Sequence, residues 1–210
     1  VKYIKTHFTL TVSNNNTYMM KWLYENWYKS TIFIAIYLLI MLFLFLFDTD
    51  FPLFLIWIQF VVYLFHQFEE YILPGGFVKF FNKKMLGSNK DNYPLDDVAS
   101  FWINIPIIFM AYPLSAILAG QVDISIGIWT AYFSIINAIS HVGIYFKHRY
   151  NPGFFVSLFL NIPVGIYTIH YFNAQNLISI NEQLIGLAIG LLTQAAVMIY
   201  GFKVLKPKVK

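Results

Sequence analysis

The 210-residue chain contains no cysteine. Disulfide frameworks, thiolate metal sites, cysteine nucleophiles and thiol redox chemistry are therefore excluded. Charge is also scarce: Asp, Glu, Lys and Arg make up 11% of the residues, against roughly a quarter in a soluble domain. Arg149 is the only arginine, which leaves little for bidentate phosphate recognition. Apolar residues, by contrast, reach 59% and aromatics 20%, with a mean hydropathy of +0.61. A water-soluble globule is excluded, and long apolar runs make the number of membrane spans the organising question.

Six stretches of about 20 apolar residues stand out, at 31–47, 51–73, 98–120, 124–146, 152–172 and 183–202. All 14 basic residues fall on alternate flanks of these stretches: Lys2 to Lys29, Lys79 to Lys90, Lys147 with Arg149, and Lys203 to Lys210. The flanks around 48–50, 121–123 and 173–182 carry none. This is the positive-inside pattern, and it predicts an all-α polytopic protein of the cell (inner) membrane, six helices with both termini cytoplasmic. The basic pI near 9.1 then reads as topology and attraction to anionic lipid, with no nucleic-acid partner. Residues 1–19 read as a polar, disordered tail and 20–210 as the membrane domain, opened by an aromatic and basic collar of Trp22, Tyr24, Trp27 and Tyr28.

Ionisable groups inside spans are costly, on the order of 2.5–3.5 kcal/mol each on insertion scales, and so mark candidate sites. His66-Gln67-Phe68-Glu69-Glu70 places two carboxylates three and four residues after an imidazole, on one helix face. Asn137 and His141 stand at the same i, i+4 spacing in the fourth span. At ~1.5 Å per residue, His66 and His141 come to similar depth, about 12 Å and 9 Å from their cytoplasmic ends. Asn104-Ile105-Pro106 and Asn161-Ile162-Pro163 bring amides to a comparable level in two further spans. Each proline there frees a carbonyl one turn back, and the asparagines serve equally well as bonds between helices.

The sequence His66-x-x-Glu69-Glu70, then Asn137-x-x-x-His141, then Tyr150-Asn151-Pro152-Gly153 resembles the signature of the HXXEE-domain family of small prokaryotic integral membrane proteins. The resemblance covers roughly residues 51–153. It adds Tyr150, Pro152 and Gly153 as candidate structural members and implies no particular reaction.

Two neighbouring ionised carboxylates in a low dielectric need compensation by a proton, an imidazolium or a metal ion. A divalent metal (Zn, Mn or Fe) held by His66, His141 and Glu69 or Glu70 would meet that need, leaving the second glutamate as general base. Asn137 or Asn104 would then donate to an oxyanion. The expectation is a metal-dependent hydrolase acting on a lipid-like or membrane-peptide substrate, with Glu69, Glu70 and Asn137 catalytic and Asn104, Asn161 and Tyr150 as further candidates. A proton- or ion-coupled carrier, or a membrane protein that binds a partner, accounts for the same residues.

Overall fold

Every apolar stretch folds as helix, and several of the scarce acids mark where a helix begins. The structure, a computed structural model, describes residues 17–209, all-helical and without a strand among them. The helices are α1 (Thr17–Phe45), α2 (Phe51–Tyr71), a short α3 (residues 77–86), α4 (Asp97–Gln121), α5 (Trp129–His148), α6 (Phe154–Ala174) and α7 (Ile180–Val209). Asp50 accepts the Leu53 N–H at the start of α2, and Asp96 accepts that of Ala99 at the start of α4. Asp123 holds the turn ahead of α5 through the Ser125 N–H, and Ser179 with Glu182 forms a reciprocal capping box on α7. Such caps satisfy backbone donors that a helix end leaves free.

Five of these helices, α1, α2, α4, α6 and α7, are long and apolar enough to cross a membrane. The sixth expected span, α5, is 20 residues long but falls outside that set; Thr130, Ser134, Asn137, Ser140 and His141 dilute its apolar sequence. Its helix also begins at Trp129, after a separate turn at Ile124–Gly127, and not at 124 as expected. At the N-terminus, α1 starts by Thr17, so residues 17–19 of the expected tail are helical, while 1–16 lie outside the described residues.

The arrangement is inverted relative to a soluble protein. Large apolar side chains such as Phe33, Leu44, Phe146 and Leu192 are 70–80% exposed, a surface compatible with contact to lipid. Polar side chains instead bond between helices: Gln59 to Thr168, Gln67 to Asn104, Asn161 to Ser134 and Tyr132 to Gln183. In α2, 67% of the most apolar stretch is buried, against 17–33% in the other four, so α2 is the central post. Against it pack α1, the second half of α4, α5 and α6.

Where Pro106 and Pro163 remove a backbone donor, the chain widens into π-turns at Ile105–Ala111 and Ser157–Asn161, the adjustment expected of prolines in membrane helices. At one end of the bundle, Phe77, Phe81, Leu86 and Leu95 pack with Ala99, Phe202 and Leu205. The 72–96 connection and the C-terminal turns of α7 thus share that end.

Candidate functional site

The spacing of four residues on α2 brings His66 and Glu70 to one face, and α5 sets His141 against them. Glu70 Oε1 lies 3.5 Å from Nε2 of His66 and 3.5 Å from Nε2 of His141. The imidazole rings are 4.7 Å apart and nearly perpendicular, at 83°. One ligand-type atom from each of the three residues lies within 4.8 Å of the other two, and no member is more than 6% exposed. Three groups of metal-ligand type therefore converge, fully enclosed.

The neighbours determine how the imidazoles point. Asn151, in the turn between α5 and α6, donates Nδ2–H to the backbone carbonyl of His141 at 3.0 Å. That bond turns its Oδ1 toward the ring, 2.7 Å from His141 Nδ1. An amide oxygen only accepts, so Nδ1 carries the proton and Nε2 presents its lone pair to Glu70. His66 Nδ1 meets the Ser157 hydroxyl at 3.3 Å, while its Nε2 is buried without a hydrogen-bond partner. Behind the three side chains stands Gly153, at φ +94°, where a Cβ would come within 2.8–3.1 Å of His66, His141 and Glu70. The group can close up only because that position has no side chain.

Glu69 does not join this group. Its carboxylate accepts the backbone N–H groups of Phe155 at 3.0 Å and Val156 at 2.7 Å, and the Tyr150 hydroxyl at 3.1 Å. Gly153, at the cap position of α6, has no side chain to offer these N–H groups, and Glu69 supplies the anion the helix N-terminus favours. Burial, followed by the Glu69 charge, pushes the Tyr150 hydroxyl well above its ordinary range, so it stays protonated and donates. The two adjacent glutamates thus diverge, one toward the imidazoles and one toward a helix end.

The asparagines also divide. Asn104 is bound on both sides, accepting from Gln67 at 2.9 Å and donating to the Tyr71 hydroxyl and the Ser100 carbonyl. Asn161 donates to Ser134 at 2.8 Å, with its Oδ1 left unpartnered. Asn137 donates weakly to Gln194, at 3.4 Å, and its Oδ1 is buried without a partner. Together with Glu70 and His141, Asn104 and Asn137 border a cavity of about 80 Å³ whose other walls are apolar, Ile103, Ile107, Val197 and Leu205 among them. Asn151 and Ser157 escaped the sequence reading. For Asn151 the signal lay in the Tyr150-Asn151-Pro152-Gly153 run itself, whereas Ser157 carried none.

A family model described as a protein of unknown function with HXXEE motif matches residues 57–168, more than half of the chain. No curated protein and no solved structure matches it. The matched segment contains the three converging residues, the Glu69 cap and the Asn151 turn, and the chain belongs to that HXXEE family.

Proposed function

We propose that His66, Glu70 and His141 hold a divalent metal ion, Zn, Mn or Fe, at the cytoplasmic side of a six-span cell-membrane protein, and that the site is hydrolytic. One observation carries the reading: a single carboxylate oxygen stands 3.5 Å from two imidazole nitrogens, one of them turned with its lone pair toward it. That separation is too long for the ~2.7–2.9 Å of a direct charge-assisted hydrogen bond. It matches the ~3.3–3.5 Å between two ligands of one tetrahedral ion with bonds of about 2.0–2.2 Å. Without a shared cation or protons, a buried carboxylate would face two lone pairs, an arrangement low dielectric penalises.

An ion at this position would supply Lewis acidity and an activated water. Glu70 would hold the ion through one oxygen, leaving its second free to accept a proton as general base, since Glu69 is engaged at α6. Asn137, one turn before His141, offers its amide to the substrate at the edge of the cavity. The apolar walls between α4 and α7 favour a lipid-like or membrane-peptide substrate. The six-span reading is supported by α5, whose polar residues bond inward, and the orientation by the basic residues gathered at the end that holds α3 and the C-terminal turns of α7.

Elemental analysis of the detergent-purified protein tests the site: one transition metal per chain is expected, lost in His66→Ala and His141→Ala. Absence of metal from a protein reconstituted with Zn²⁺ and Mn²⁺ sinks the proposal. A second reading, an ion carrier, is favoured by the π-turns beside Asn104 and Asn161, since broken helices commonly line ion sites. Ion uptake into proteoliposomes that Glu70→Gln abolishes would select it. If neither metal nor transport is found in folded protein, a partner-binding role is the better account.

A further inference from the structure

The cavity beside Glu70 and His141 has a neighbour. A second hollow of about 300 Å³ opens at the loop end of the bundle, with Tyr28, Lys79, Asp91, Asn92 and Asp97 on its walls. The two spaces share two lining residues, Tyr71 and Phe77. These side chains are therefore the partition between a polar vestibule and the chamber that touches the His/Glu group.

The two partition residues are held differently. Tyr71 is stacked on Tyr28 with ring centres 5.4 Å apart, meets Trp27 edge-on at 5.0 Å, and its hydroxyl accepts from Asn104. It is a fixed post. Phe77 begins α3 directly after Gly75 and Gly76, both at positive φ (+73° and +88°), conformations that suit glycine alone. Its ring lies 5.9 Å from Tyr71 and 6.2 Å from His141, and the residue is half-buried. Phe77 also stacks on Phe81, ring centres 5.6 Å apart, so its swing, on a two-glycine hinge, would have to give up that contact.

The vestibule's walls are polar, with charges of both signs. Asp91 is paired with Lys79 at 3.0 Å and Lys83 at 3.3 Å, which hold its carboxyl below the usual range. Asp97, also on its walls, stands near Asp96 and near Glu25, which is itself paired with Lys21 at 3.8 Å. Two lysines against Asp91 and Asp97 leave the mouth close to neutral, a polar, wettable surface open to water and hydrated ions. The inner chamber, at about 80 Å³, is several-fold larger than the roughly 10–15 Å³ that one water requires.

We propose that Phe77, closing against Tyr71, gates a water-side port through which water and hydrated divalent cations reach His66, Glu70 and His141. The proposal rests on the metal-site reading for its cargo. The port is separate from any approach between α4 and α7 from the lipid.

The absence of cysteine makes the test direct, because Asn137→Cys places a single thiol in the chamber. Its reaction with a small, cationic, water-soluble methanethiosulfonate is timed in detergent-purified protein, with and without changes at Phe77. Phe77→Ala should speed labelling about tenfold, Phe77→Leu less, and Phe77→Trp should slow it. The two leucine and tryptophan variants keep the test alive if the alanine variant unfolds. In protein with native Asn137, Phe77→Ala should hasten Zn²⁺ loss to EDTA by a similar factor at unchanged stoichiometry. Labelling indifferent to Phe77 overturns the port, since it would mean access from elsewhere. Gated labelling in a protein that retains no metal leaves the port standing and removes the metal reading.

Discussion

At the residue scale, the site depends on groups that never touch an ion. Asn151 fixes which nitrogen of His141 bears the proton, and partners of this kind typically matter by about 10–100-fold in metal affinity. Asn151→Ala should weaken Zn²⁺ binding by that order in a competition titration against a chelating dye. Asn151→Asp retains the acceptor and should keep most of the affinity; equal binding by wild type and the alanine variant would refute the tautomer argument. Gly153 supplies a second case. Gly153→Ala crowds all three site residues, while Gly76→Ala, also at positive φ, meets nothing within 4 Å. Both carry the backbone strain of about 1–2 kcal/mol, so both should lower the unfolding midpoint, but only Gly153→Ala should lose the metal. Part of this was legible: the His66 to Glu70 spacing and the Asn137 to His141 spacing named the two helices that bring the three residues together. What spacing on one helix could not do was separate Glu69 from Glu70, which are only ~100° apart; a helix end more than 80 residues downstream decides between them.

At the element scale, the helices were readable because apolar length is a direct physical demand of the bilayer. The two Asn-Ile-Pro runs likewise announced their broken turns. Less readable was α5. Its Ser134 accepts from Asn161, its Asn137 donates to Gln194 and its Thr130 bonds back to the Gly127 carbonyl. A helix most of whose polar groups bond to neighbours need not be apolar by itself, so composition alone does not decide whether α5 crosses. The Glu69 contact is an element-scale device too, fastening the start of α6 to the end of α2. Glu69→Ala strips two backbone N–H groups and a hydroxyl of their shared acceptor, and should destabilise the protein by about 1–3 kcal/mol. Metal content should remain, whereas Glu70→Gln should lose metal with a smaller change in unfolding midpoint. Loss of metal in both variants at unchanged stability would return Glu69 to the site.

At the scale of the whole molecule, most of the charged residues, 11% of the chain, serve three physical tasks. Among the described residues the basic side chains lie toward one end, where Tyr24 of α1 meets Phe101 of α4 and α3 packs on the last turns of α7. Asp50, Asp96, Asp123 and Glu182 cap helices or turns, and Glu69 and Glu70 alone act inside the bundle. The proposed orientation rests on the first group, because basic residues near span ends are retained on the cytoplasmic side. The proposed six crossings would place residues 121 and 175 on the opposite side from residue 89, and the cysteine-free background lets each be probed singly. Gln121→Cys and Gln175→Cys, at exposed positions, should react with a membrane-impermeant maleimide in intact cells. Asn89→Cys should react only after the membrane is opened. If α5 did not cross, 121 and 175 would lie on opposite sides and only one of them would label. If the whole bundle were inverted, Asn89→Cys alone would label in intact cells, and the His/Glu group, which lies toward the same end, would then draw its ions from outside the cytoplasm.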